Sequence, residues 1–108
     1  MKLMTKELES AFKRQRETVE LRPNGQDDFV LAKFFDPCSQ WTWYATEFDG
    51  EDTFFGIVKG FEVELGYFSL SELQSVRNRL GLGIERDLYW KPRRLSEVRA
   101  ELEEDAVA

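Results

Sequence analysis

Acidic side chains recur two residues apart at Glu47 and Asp49, at Glu62 and Glu64, and at Glu85 and Asp87. On an extended strand residues i and i+2 point to one face, so each pair sets two carboxylates side by side. That arrangement can hold Mg²⁺ or divide acid and base roles. With 21 Asp and Glu in 108 residues, such pairs also arise by chance, and no catalytic residue is assigned. A small carboxylate-based, Mg²⁺-dependent enzyme is the alternative reading, resting on Glu47, Glu85 and Asp87. "ERD" at 85–87 reads more simply as an ion pair around Arg86. Ser69 and Ser71, beside Tyr67 and Glu72, could pass for a nucleophile site, but Ser69 and Glu72 already form an S-x-x-E capping box. The chain has no His, which removes Ser-His-Asp and Cys-His catalysis and the commonest ligand of transition metals. Its single Cys38 cannot build a CxxC motif, and neither G-x-G-x-x-G nor a P-loop is present. No metal site and no cofactor are expected.

Binding chemistry is the stronger signal. "WTWYATEFDGEDTFF" (41–55) carries two Trp, one Tyr, three Phe and four acids. Most of these rings are expected in the core. A remainder near Trp41 or Tyr44, with Glu47, Asp49, Glu51 and Asp52 close in sequence, is the candidate partner-binding surface. Base stacking fits poorly, because single-strand binders pair aromatic platforms with a basic groove. Charge is polarised along the chain. Glu47, Asp49, Glu51, Asp52, Glu62 and Glu64 stand against Lys59 alone, a net of −5, and nucleic-acid mimicry by this segment is a special case of partner binding. Arg77, Arg79, Arg86, Lys91, Arg93 and Arg94 stand against Glu85 and Asp87, a net of +4. Arg77, Arg79, Arg86, Arg93 and Arg94 form a candidate secondary basic surface, through which a nucleic-acid-associated role is a further alternative.

The elements that must position these residues read as follows. Thr5 caps a first helix over about 5–17, within an N-terminal segment 1–20, with Met4, Leu8 and Phe12 as its apolar stripe. "RPNGQDD" (22–28) is a turn. A sheet with a hairpin spans 29–68: a strand at 29–35, another at 41–48, a third at 53–58 joined through Asp49-Gly50, and a short strand through Tyr67 and Phe68. A helix capped by Ser69 runs over 69–80, with Leu70, Leu73, Val76 and Leu80 in helical period, Arg77 and Arg79 at its negative end, and Gly81 as the terminal left-handed residue. A strand follows at 84–90 with Leu88 and Trp90 on one face, then a helix at 96–105 with Ser96 as N-cap. On the 41–48 strand, alternation puts Trp41, Trp43 and Ala45 on one face and Thr42, Tyr44 and Thr46 on the other. Trp43 is expected buried against Leu31, Phe55 or Ile57, and Trp41 more exposed at the rim. Strands in a run between helices predict a single α+β domain, an antiparallel sheet of four to five strands packed with three helices.

The net charge of −6 disfavours non-specific binding to nucleic acid or anionic lipid. No apolar run approaches the roughly 20 residues that span a bilayer, and "MKLMTKELESAFKR" lacks a signal-peptide core. A lone Cys suits a reducing compartment, so a cytoplasmic location is expected, and a monomer or weak homodimer is the expected state.

The segments "LAKFFDP", "TWYATE", "ELGYFSLSELQSVRNRLGLGIERDLYW" and "RRLSEV" resemble the domain-of-unknown-function 2958 family, short bacterial proteins often encoded on plasmids and integrative or conjugative elements. The likeness runs over nearly the whole chain. It implies a cytoplasmic accessory protein of a mobile element, with an anti-defence role among the options, and carries no catalytic residues over. Gly83, where the family pattern favours Pro, and Trp41, where it is more polar, depart from it. Together these features predict a non-catalytic protein-interaction protein, its partner a protein rather than nucleic acid or membrane.

Overall fold

A computed structural model describes residues 1–18 and 27–107. The turn expected at Pro23, Asn24 and Gly25 lies outside the described residues. In chain order the elements are α1 (Lys6–Thr18), β1 (Phe29–Val30), β2 (Ala32–Phe35), β3 (Thr42–Phe48), β4 (Thr53–Lys59), β5 (Val63–Ser69), α2 (Leu70–Ser75), β6 (Glu85–Arg86), β7 (Arg93–Arg94) and α3 (Leu95–Val107). Five strands make an antiparallel sheet in the order β5-β4-β3-β2-β6, and β1 pairs with β7 in a separate two-stranded ribbon. The α+β class and the antiparallel sheet with three helices agree with the sequence.

Each sheet face has its own core. On one face α1 and α2 bring Phe12 and Leu73 onto Phe34, Ala45, Phe48, Phe54 and Phe68. Phe54 is the hub, with ring centroids 5.9 Å from Phe12, 5.3 Å from Phe34, 4.8 Å from Phe48 and 5.2 Å from Phe68. Burying a Phe of this kind stabilises by about 1.5–3 kcal/mol. The other face carries α3, whose Val98 and Leu102 pack on Val30, Tyr44 and Ile57. This double cover explains why the central strands lack an alternation of apolar and polar residues.

A β-bulge sets which residues reach which core. Ala45 faces Gly56 and Glu47 faces Phe55, so Thr46 is an extra residue on β3. The insertion reverses the side-chain parity beyond it and turns Phe48 into the α1 face with Phe54. Thr46 is 2% exposed, and its hydroxyl donates to Phe55 O at 3.1 Å. Gln15 secures the same place from α1: its Nε2 donates to Thr46 O at 2.8 Å and to Phe29 O at 2.9 Å, and its Oε1 accepts Phe29 N–H at 3.0 Å.

Several boundaries differ from the sequence reading. The 29–35 strand breaks at Leu31, whose N–H turns to Ala45 O at 2.9 Å, so its first two residues join β7 instead of the main sheet. The 69–80 helix stops at Ser75, and Val76 takes an extended conformation (ψ 132°). Asn78 competes there, because its Oδ1 accepts the N–H groups of Leu80 and Leu82 at 2.9 and 3.1 Å, and short polar side chains of this type stabilise turns over helix. Val76 and Leu80 are consequently exposed, and Gly81 (φ 76°) closes a turn on Asn78 O instead of a helix. The 84–90 strand shrinks to Glu85–Arg86; Leu88 and Tyr89 lie in an exposed turn, and Trp90 turns inward to donate its Nε1–H to Val30 O at 2.9 Å. Ser96 is not the cap of α3. Helix α3 starts at Leu95, and Asp27 caps it from 69 residues away, accepting Ser96 N–H and Oγ–H, each at 2.9 Å.

Candidate functional site

Exposed rings include Phe61, Tyr67 and Tyr89, and Phe61, which joins the partly uncovered Trp41 and Trp43 in a row of three, lies on the α1 face of the sheet at the end of β3 and β4 farthest from the bulge. Asp36 builds the loop leading into it. Its Oδ1 accepts Cys38 N–H at 2.9 Å and Asn78 Nδ2–H at 3.1 Å, and its N–H donates to Trp41 O at 3.1 Å. The Cys38 N–H foremost, then the Asn78 amide, hold the Asp36 carboxyl below its usual value. Ser39 Oγ accepts Trp41 N–H at 3.1 Å, fixing the backbone from which the indole projects.

Trp41 stacks on Trp43 with centroids 6.1 Å apart and meets Phe61 edge-on at 5.8 Å. Phe61, in the turn between β4 and β5, is 89% exposed. Gly60 makes the approach possible, since a Cβ there would overlap the Trp41 ring. Trp41, Val58, Gly60, Phe61, Glu62 and Glu64 line a groove of about 280 Å³. A second groove of about 320 Å³, on the other side of Phe61, includes Lys59, Val63 and Asp105. An apolar platform edged by Glu62 and Glu64 suits an apolar anchor with a neighbouring cation, which would also sit favourably over the indole face. Trp43 is half-buried rather than buried, and its strand neighbours are Phe34 and Val58, not Leu31, Phe55 or Ile57. Trp41 is half-buried as well.

The other residues singled out from sequence lie elsewhere. Tyr44 is 7% exposed on the opposite face, in edge contact with Trp90, and burial foremost raises its phenol pKa. Glu47 is exposed at the far end of β3 from Trp41, in a groove with Phe55 and Tyr67. Asp49 is engaged in the hairpin: its Oδ1 accepts the N–H groups of Glu51, Asp52 and Thr53 at 2.8, 2.9 and 3.1 Å, bonds that hold its carboxyl below the usual range. Glu51 is exposed in the same turn. Asp52 binds the start of α2, accepting Ser69 Oγ–H at 2.6 Å and Ser71 Oγ–H and N–H at 2.8 Å. These hydroxyl bonds, Ser69's first, lower its pKa. Trp41 and this acidic group therefore do not share a site. The acidic neighbours of Trp41 are Glu62 and Glu64, which the sequence places in a carboxylate pair and in the acidic 47–64 segment but not in the partner-binding set; Gly60-Phe61 between two strands was the signal for a turn with an exposed ring.

The five arginines are dispersed. Arg77 closes α2 by donating to Gln74 O and Val76 O at 2.8 and 2.7 Å. Arg86 Nε lies 3.4 Å from Lys2 O, and the ion pair of Asp87 is with Lys33 at 4.0 Å rather than with Arg86. Arg93 forms a two-pronged pair with Glu101, Nη1 to Oε2 at 2.9 Å, and sits over Trp90. Arg94 lies over Phe29, 5.0 Å from its centroid. Arg79 is exposed. Glu47 and Glu85 sit at opposite ends of the sheet, since Glu85 pairs with Phe35, itself opposite Thr42 at the start of β3. Among the described residues no group of three or more His, Cys, Asp or Glu could hold a metal ion, and no helix is long and apolar enough to cross a membrane.

The chain matches the family described as protein of unknown function (DUF2958) over residues 3–106, and it belongs to that family. No curated protein and no solved structure shows a significant match to it.

Proposed function

We propose that this DUF2958 member is a non-catalytic protein-interaction module, a cytoplasmic accessory protein of a bacterial mobile element, and that it binds its partner through the Trp41–Phe61 rim. The observation that carries the reading is Phe61, 89% exposed and held edge-on against Trp41. A ring that the fold leaves in water gains by burial against an external contact, and large aromatics set in a groove are the usual anchors of protein interfaces. Glu62 and Glu64 at the groove edge favour a partner segment with Lys or Arg beside an apolar side chain. The same carboxylates, with arginines committed to Gln74 O, Glu101 and Phe29, disfavour a phosphate ligand. The separation of Glu47 from Glu85 disfavours the enzyme.

Affinity capture from a bacterial host with the wild-type chain and with a Trp41→Ser/Phe61→Ser variant tests this. A protein retained by the first and lost by the second, with both equally folded, is the expected result. Identical captured sets, or nothing captured by either, would sink the reading.

A further inference from the structure

One edge of the sheet points to a second surface, which adjoins the aromatic rim at Glu64. Strand β5 is the longer of the two edge strands, and it runs in unbroken register with β4 from Thr53↔Ser69 to Lys59↔Val63. Protected edges carry charged side chains, above all Lys, or Pro, a bulge or a very short strand. The sequence of β5, VELGYFS, is seven residues long with no Lys, Pro or bulge, and Glu64 is its one charge.

The hydrogen-bond parity of this edge can be read directly. Leu70 N–H donates to Asp52 O at 2.8 Å and Gly60 N–H donates to Glu62 O at 3.0 Å, and both pairs continue the β4–β5 register. Directly bonded pairs alternate along an antiparallel ladder, so Glu64, Gly66 and Phe68 bond inward to β4. The N–H and C=O groups of Val63, Leu65 and Tyr67 point out from the edge, as does the N–H of Ser69, whose C=O belongs to the first turn of α2. Leu65 and Tyr67 also expose their side chains, 42% and 75%.

We infer that β5 is a self-pairing edge, on which a second copy of this chain docks its own β5 antiparallel to make a continuous ten-stranded sheet. Antiparallel pairing must set outward residues opposite outward residues, and one such register uses the whole strand: Val63 opposite Ser69′, Leu65 opposite Tyr67′, and Gly66 on the two-fold axis. The exposed Leu65 and Tyr67 then become cross-strand partners twice over, the apolar pairing that stabilises sheets. The strand's one charge is placed without conflict. Glu64 faces Phe68′ and lies about 14 Å from Glu64′, beyond the screening length of about 8 Å at physiological salt. At Gly66, on the axis, neither copy sets a side chain against its twin on the face of the sheet. The like net charge of the two chains opposes association at low salt, so pairing tightens as salt rises.

Sedimentation equilibrium between about 1 µM and about 1 mM, the span over which a modest association is read, should show a monomer passing to a dimer. Hydrogen exchange at high concentration should then slow at the amides of Leu65 and Tyr67, whereas those of Glu64, Gly66 and Phe68 are slow at every concentration. Gly66→Lys should abolish the dimer by setting two ammonium groups opposite each other. The free chain accommodates that change, because a Cβ at Gly66 meets nothing within 4 Å. Leu65→Pro is the second probe, since it removes an outward N–H and no bond to β4. A chain monomeric across the range, or a dimer that leaves Leu65 and Tyr67 exchange unchanged and survives both substitutions, would overturn the inference.

Discussion

Asp52, at the end of the β3–β4 hairpin, clasps Ser69 across 17 residues of sequence, accepting its hydroxyl at 2.6 Å. The same Ser69 Oγ accepts Glu72 N–H at 3.2 Å, so one hydroxyl caps α2 and ties it to the hairpin. The helix is six residues long, too short to persist without such ties. Ser69→Ala should cost about 1 kcal/mol in urea denaturation. In a double-mutant cycle with Asp52→Asn the effects should not add, because both changes remove one network. Additive losses would mean that the cap and the clasp act separately.

Acid should weaken the β2–β3 loop and the β3–β4 hairpin, which aspartates hold together. Asp36, Asp49 and Asp52 all have native pKa values below the ordinary aspartate value of about 3.9, through hydrogen bonds that favour the carboxylate. A depressed native value means that the unfolded chain takes up protons first. The stabilisation is therefore complete above the ordinary value and is lost as pH falls through the depressed native values. Thermal melts from pH 6 down to about pH 2 should show the decline, and Asp49→Asn should flatten it. A decline unchanged in Asp49→Asn would place its source elsewhere.

The bulge makes a third point of dependence. Thr46→Val keeps the shape but leaves Phe55 O without its hydroxyl partner in a buried place, which should cost about 1–3 kcal/mol. Gln15→Ala removes donors to Thr46 O and Phe29 O together and should free the β1–β7 ribbon as well. Faster amide exchange at Phe29 and Leu31 checks this; unchanged exchange there would show that Gln15 is not the clamp.

How much of this was legible in the sequence depended on the range of the deciding interaction. The Ser69 cap, the Thr5 cap (Leu8 N–H to Thr5 Oγ1, 3.1 Å) and the Asp49-Gly50 turn are made within a few residues, and each stands where its pattern placed it. Asp27 capping α3, Gln15 holding the bulge and Asn78 bonding Asp36 join segments far apart in the chain, and periodicity carries no information about them. One local conflict was visible: Asn78 inside a helical pattern is a turn-former, and it ended α2 early. The candidate site divided for the same reason. Sequence proximity grouped Trp41 with Glu47 and Asp52, whereas strand pairing brings Trp41 to Phe61 and Glu64.

The cap of α3 gives a direct test of such a distant contact. Asp27→Ala removes both bonds to Ser96 and should cost about 1 kcal/mol, whereas Ser96→Ala should cost less because it removes one bond from a residue already inside the helix. The reverse order in denaturation midpoints would restore Ser96 as the cap.

The rim of Trp41, Trp43 and Phe61 separates folding from binding. Trp43 packs partly into the α1 core, so Trp43→Ala should destabilise by about 2 kcal/mol, short of the ~3–5 kcal/mol for a fully buried aromatic. Phe61→Ala should move stability by less than about 0.5 kcal/mol, because a side chain 89% exposed has little packing to lose. Its effect belongs in partner affinity, a loss of about 2 kcal/mol or more if the ring is an anchor. Gly60→Ala supplies an independent handle. The added Cβ must displace the Trp41 ring, which opens the groove without removing any aromatic surface. In a background with Trp43 and Trp90 replaced by Phe, Gly60→Ala should shift Trp41 emission to the red, raise its quenching by acrylamide, and weaken partner binding in parallel. Displacement of the Trp41 ring with undiminished binding would mean that the partner does not read this rim.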